Sequence, residues 1–136
     1  MGAGQLIRPA VEADIPAIID MVERLREAVD GPQAVCRITT GQTVAGLIHS
    51  PDGAVWVSGH GFIAAKLGRT IISPDVIAEE CGWFAEDRTG LRLLRAFERW
   101  ADKHGATLKR VSCNGGAARR ILERAGYRQA EISMVK

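Results

Sequence analysis

Apolar residues recur at helical spacing over Ile15, Ile18, Ile19, Val22 and Leu25, while Asp20, Glu23, Arg24 and Glu27 occupy the other face. This period predicts the first helix. Asp14 stands where a cap belongs, Pro16 is tolerated in a first turn, and Asp30-Gly31-Pro32 is a strong stop. Ahead of it, the short stretch Gln5 to Arg8 before Pro9 predicts a strand. Val44, Leu47 and Ile48 after Thr40 predict a shorter second helix, closed by the turn Ser50-Pro51-Asp52-Gly53. Ala54 to Ser58 and Phe62 to Leu67 flank Gly59-His60-Gly61, which predicts a β-hairpin with a three-residue loop. Val76 to Ala85 predicts a further strand, and Gly90 to His104 a helix closed by Gly105, with an apolar stripe of Leu91, Leu94, Phe97 and Ala101 and Trp100 beside it. Thr107 to Cys113 then predicts a strand, Gly116 to Arg124 a helix ended by Gly126, and Tyr127 to Val135 a last strand. The order β-α-α-β-β-β-α-β-α-β implies an α/β domain with a mixed central sheet and helices on both faces.

A length of 136 residues suits one domain, 1–136, and a second independent domain is not expected. At 46% hydrophobic and 25% charged residues the composition excludes disordered and fibrous classes. The apolar runs fall far short of the roughly 20 residues that a membrane helix requires, so no membrane is expected as partner. The opening Met-Gly-Ala-Gly-Gln-Leu has no signal-peptide pattern, and Leu6 stands where a myristoylation motif needs Ser or Thr, so the cytoplasm is the expected location. Cys36, Cys81 and Cys113 make neither an even disulfide set nor a C-x-x-C pair, and no His stands at ligand spacing from them. They are expected to be buried free thiols, and no metal is expected. Charge is more telling in its distribution than in its total. Residues 88–128 hold eleven Lys and Arg against three Asp and Glu, and the rest hold seven against thirteen. An anionic ligand therefore belongs to the C-terminal half.

The junction from Trp83 to Gly90 leads from a strand into the basic helix. Free N–H groups and the positive end of the helix dipole suit a phosphate there. Arg88 and Arg92 would add full charges, and Gly90 would admit a ligand close to the backbone. The plain alternative is a helix capped by Thr89 or Asp87. Arg92, Arg95 and Arg99 form one helical stripe that Lys109, Arg110, Arg119, Arg120 and Arg124 extend, so nucleic acid is a second candidate partner, although a solvated basic face is commoner. His49, His60 and His104 fall at element ends and are not expected to act in catalysis, and Trp56, Trp83 and Trp100 are expected in or near the core.

The whole pattern adds to these local signs. Leu6-Ile7-Arg8-Pro9-Ala10 through Asp14-Ile15 and Ile18, then Leu93 to Ala101 with Gly105-Ala106, Asn114 through Ala118, and Leu122-Glu123-Arg124-Ala125-Gly126-Tyr127 together resemble the GNAT acyltransferase superfamily. The likeness spans nearly the whole chain and is greatest to the short GNAT proteins of tailed bacteriophages and prophages. It implies a GNAT-like domain that transfers acetyl from acetyl-CoA to an amine by direct attack. It also implies a V-shaped splay between the strands at 76–85 and 107–113 for the pantetheine arm. Backbone amides of Trp83, Phe84 and Ala85 would hold that arm, and Arg88, Thr89, Gly90, Leu91 and Arg92 the phosphates. Asn114 matches a turn residue that reaches the pantetheine or a nearby backbone group. Glu79 resembles a strand glutamate that serves as general base, and simple alternation places it on the face of Cys81, Trp83 and Ala85, with Glu80 facing the other way.

Three departures accompany the likeness. The family's R/Q-x-x-G-x-G/A loop is reduced to Ala85-Glu86-Asp87-Arg88-Thr89-Gly90, in which only the last glycine matches and Glu86 and Asp87 are expected to repel a pyrophosphate. Leu122 stands where the family often has a tyrosine acid, and Tyr127 occupies a position that usually packs as Phe. A GNAT fold that has lost catalysis and serves as a binding or virion-associated module, or one that modifies nucleic acid, are the alternative readings. A homodimer is compatible with the fold, and no exposed apolar stripe in the sequence demands one.

Overall fold

A computed structural model describes residues 6–136; the opening segment 1–5, including the start of the expected first strand, lies outside the described residues. The first strand, β1, is Arg8–Pro9, and after one 3-10 turn at Glu12–Asp14 the first helix, α1, spans Ile15–Ala28. Arg8 pairs with Asp14 through two 2.8 Å hydrogen bonds, and the Asp14 carboxylate also accepts the Val11 N–H. The Arg8 guanidinium is the main reason that the Asp14 carboxyl is held below its ordinary range. The second helix, α2, spans Arg37–His49 and so starts one turn earlier than the apolar positions predict. The strands β2 (Gly53–Val57) and β3 (Gly61–Gly68) form the expected hairpin, and β4 is Ile77–Ala85. The helix α3 (Gly90–Lys103), the strand β5 (Leu108–Arg110) and the helix α4 (Gly116–Arg124) complete the order.

The five strands lie in sequence order, antiparallel except for the parallel pair β4–β5. Two cores cover the two faces of the sheet. On one face α1 and α2 bring Ile18, Met21 and Val44 onto Val55, Val57, Phe62 and Ala64. On the other α3 and α4 bring Leu93, Leu94, Phe97, Ala101 and Leu122 onto Ile63, Ala65 and Ala78. Gly53 allows α2 to close onto β2, because a Cβ there would lie 2.6 Å from the Leu47 carbonyl oxygen. The three tryptophans are partly buried, and Trp56 meets Trp100 edge to face at 5.8 Å.

Four sequence expectations are corrected. The segment Tyr127–Val135 forms no strand; Ile132, Met134 and Val135 are 73%, 84% and 76% exposed. Its alternation has no ladder to join, since β5 pairs over only three residues instead of the expected 107–113. Leu91 is 44% exposed, and the buried stripe of α3 is carried by Leu93, Leu94, Ala96, Phe97 and Ala101. All three cysteines are exposed. Cys36 sits at the start of α2, Cys113 in a loop, and Cys81 is the odd residue of a bulge. Among the described residues no helix is long and apolar enough to cross a membrane.

Candidate active site

The site is organised by an irregularity in β4. Ala64 pairs with Gly82 but Ala65 pairs with Glu80, so Cys81 is an extra residue that inverts the alternation. The inversion shows in the cores: Phe84 packs with α1 and α2, whereas Ala78, of the same parity, packs with α3 and α4. Directly opposed residues share a face. Glu79, opposite Lys66, therefore lies on the α1/α2 face, and Glu80, opposite Ala65, shares the α3/α4 face with Trp83 and Ala85. The expected placement of the two glutamates is thus reversed. Gly82, in the middle of an otherwise regular strand, was the signal for it, since an interior strand glycine marks a bulge or a close approach. A Cβ on Gly82 would lie 3.0 Å from the Phe62 ring.

The bulge also ends the pairing with β5. The ladder runs from Ile77 to Glu79 on β4, and no pairing with β5 is made beyond it. Glu80 sits at this fork and accepts the Ser112 N–H at 2.9 Å. Burial pushes its carboxyl up to about 7, against the lowering effect of that hydrogen bond. Glu79 is held instead by Arg110 at 3.2 Å, and Arg110 also pairs with Glu131.

Past the fork, the free edge of β4 carries polar backbone. The Glu86 N–H bonds the His60 carbonyl at 2.9 Å, so by ladder alternation Phe84 directs its N–H to β3, and Trp83 and Ala85 direct theirs to the open edge. Of the three amides expected to hold a ligand, two face it. A cavity of about 210 Å³ lies there, lined by Trp83, Phe84 and Ala85, by Gly90 of α3, by Ala118 and Ile121 of α4, and by Leu25 of α1. This is smaller than the roughly 300 Å³ from which whole small-molecule sites begin, and suits a narrow apolar arm. The Trp83 indole donates to the Gly90 carbonyl at 3.0 Å and fixes the start of α3 against the strand.

The loop between β4 and α3 is arranged differently from the sequence expectation. Asp87 turns into the protein, where its carboxylate accepts the Ser58 hydroxyl at 2.7 Å, the His60 N–H at 2.9 Å and the Thr89 hydroxyl. Burial acts to raise its pKa, but these hydrogen bonds together outweigh it and hold the carboxyl low. Glu86 pairs with Arg24 at 2.9 Å. Glu86 is thus neutralised by Arg24, whereas Asp87 keeps a full negative charge that only neutral donors solvate, so its repulsion of a pyrophosphate at the helix start remains. Thr89 is fully buried, its hydroxyl is 2.9 Å from that of Ser58, its N–H donates to Asp87 at 3.3 Å and its carbonyl accepts the Leu93 N–H, so it caps the helix and offers a ligand nothing. Arg88 is exposed with φ of 64°, which turns the chain sharply into α3. Gly90, Leu91 and Arg92 form the first turn, at the positive end of the α3 dipole. Asn114 donates its side-chain amide to the Val29 carbonyl at 2.8 Å, tying the β5–α4 loop to the end of α1.

Other candidates are placed away from this site. Tyr127 donates its hydroxyl to Glu98 at 2.9 Å, and Leu122 is buried in the α3/α4 core. His49 pairs with Glu12 at 2.9 Å, and the His104 ring packs on Trp100. Among the described residues no three His, Cys, Asp or Glu side chains gather as a metal site. Leu25, Ala118, Ile121 and Glu80 join the site only through tertiary contact.

No protein-family model and no curated protein sequence matches the chain. Solved structures do. An integron cassette protein from the mobile metagenome of Cole Harbour Salt Marsh superposes with a TM-score of 0.77 at 16% identity, covering 99% of this chain and 91% of that one. A mutant form of the BH1408 protein of Bacillus halodurans gives 0.81 at 13% identity, over 96% and 98%. The aminoglycoside 6'-N-acetyltransferase AAC(6')-IG of Acinetobacter haemolyticus gives 0.73 at 14% identity, over 96% of each chain. The chain has the fold of these structures, the GNAT fold, with a single α/β domain, a mixed five-stranded sheet and four helices among the described residues.

Proposed function

We propose that the protein is an acyl-CoA-dependent N-acyltransferase that moves acetyl from acetyl-CoA to a primary amine. The observation that carries this reading is the apolar cavity at the fork, bordered by the open edge of Trp83 and Ala85 and by the first turn of α3. Trp83 and Ala85 supply backbone hydrogen bonds to the pantetheine amides along an edge that no strand occupies. The start of α3 at Gly90, Leu91 and Arg92, with the Arg88 guanidinium, takes the pyrophosphate. Acetyl-CoA supplies an activated acyl carbon with a thiolate leaving group. The amine attacks that carbon, the C–N bond forms and the C–S bond breaks.

Glu79 is the proton acceptor in this scheme. The bulge puts it on the α1/α2 face, opposite the face of the α3/α4 core, so donor and acceptor approach the fork from two sides. Its carboxylate accepts a proton from the acceptor ammonium, directly or through water, and Arg110 orients it. The Tyr127 hydroxyl is committed to Glu98, which leaves the departing thiolate to take its proton from solvent.

Isothermal titration with acetyl-CoA, CoA and a 3'-dephosphorylated analogue tests the reading. Micromolar binding, on the order of −8 kcal/mol, is expected. No heat at high concentration would leave a GNAT fold without its donor, and a binding module would then be the better description.

A further inference from the structure

A second hollow, of about 470 Å³, opens where α1 passes through the loop 29–36 into α2, and it shares Leu25 with the cavity at the fork. Its volume falls within the range of roughly 300–1,000 Å³ common to small-molecule sites. Its wall is largely apolar, built by Val22, Leu25, Val29, Pro32 and Val35. The one full charge in that wall is Arg26, whose Nε donates to the Gln33 carbonyl at 3.0 Å. This bond fixes the plane of the guanidinium while its two terminal nitrogens carry no other hydrogen bond among the described residues. No carboxylate lines the hollow. Asp20 and Glu23 of α1 are taken up by Arg37.

A polycationic acceptor would bring several ammonium groups to a wall that has no acid and one cation, with desolvation of charge left uncompensated. An apolar body fills such a hollow, and a planar fork of free N–H donors matches a carboxylate. Leu25 lines both hollows, and Arg26 lines the second with it, so the cavity at the fork and the point of anion recognition adjoin through Leu25. We propose that the acceptor is a monoamine with an aliphatic body and an adjacent carboxylate, of the α-amino acid type, with Arg26 selecting the carboxylate. This rests on the transferase reading and adds the chemical class of its substrate.

Leucine and 3-methylbutylamine differ only by the carboxylate, and kanamycin represents the polycations. CoA thiol release from acetyl-CoA is followed with each. Leucine is expected to exceed 3-methylbutylamine in kcat/KM by about tenfold or more, kanamycin to give no turnover, and Arg26→Gln and Arg26→Lys to bring the leucine advantage down towards one. Equal use of the matched pair, preference for kanamycin, or an unchanged ratio in both variants would overturn the proposal. Cys36 lines the same hollow and is exposed, which provides a readout independent of transfer. N-acetylleucine is expected to slow maleimide labelling of Cys36 and leave Cys81 and Cys113 unaffected, by peptide mass spectrometry. Protection of Cys36 in a protein that fails to bind acetyl-CoA would keep the ligand class and remove the transferase reading. Absence of protection together with absence of turnover would remove both.

Discussion

Replacing Glu80 by Gln keeps the shape of the side chain and an oxygen to accept the Ser112 N–H, and removes only the ability to ionise. The carboxyl is sunk at the fork between β4 and β5, and burial raises it from 4.5 to about 7. Because its folded value lies above its unfolded one, the neutral carboxyl contributes stability that is fully present below about pH 4.5 and is lost as the pH rises through about 7. At about 1.4 kcal/mol per pH unit, that separation amounts to about 3 kcal/mol, and to less if water enters the fork when the carboxyl ionises. Gln does not ionise and escapes this loss. Glu80→Gln should therefore match the parent in stability near pH 4.5 and exceed it by up to about 3 kcal/mol at pH 8. Urea unfolding of both proteins at intervals from pH 4.5 to 8 measures the difference directly, and other titrating groups cancel in the comparison. A difference that stays constant over this range would refute the reasoning, because it would mean that the carboxyl is as well solvated in the fold as in the unfolded chain.

Arg88→Ala is expected to weaken acetyl-CoA binding about tenfold with no change in melting temperature, since both residues bear the same positive-φ cost; unchanged affinity in the titration would take Arg88 out of the site. Glu79→Gln should lower kcat while leaving acetyl-CoA affinity intact, and a kcat equal to the parent's would take Glu79 out of the reaction. Gly53→Ala forces a Cβ to 2.6 Å from a backbone oxygen of α2, so it should cost on the order of 2 kcal/mol; a melting temperature equal to the parent's would show that α2 can retreat from β2 at no cost.

Elements with their own strong period or punctuation were legible without the fold. The apolar series Ile15 to Leu25, the Gly59-His60-Gly61 hairpin and the glycine-ended helices α3 and α4 all stand where local pattern puts them. The basic start of α3 was legible too, because the helix start and its nearby arginines are adjacent in sequence. Tyr127–Val135 shows the limit of this reading: alternation states which residues would share a face, but a strand also needs a partner edge, and β5 offers only three residues.

What local pattern alone determined, then, was the order of elements as far as α4, the two-faced α/β layering and the place of the helix dipole. Only the tertiary structure decided which glutamate faces which side, because one extra residue at Cys81 inverts every position before it relative to every position after it. It also decided that Asp87 turns inward to Ser58 and His60, 27 and more residues away in the chain, and that Leu25 of α1 stands between two hollows. These are contacts between distant segments, whose energies depend on how the layers close and leave no period in the sequence to read.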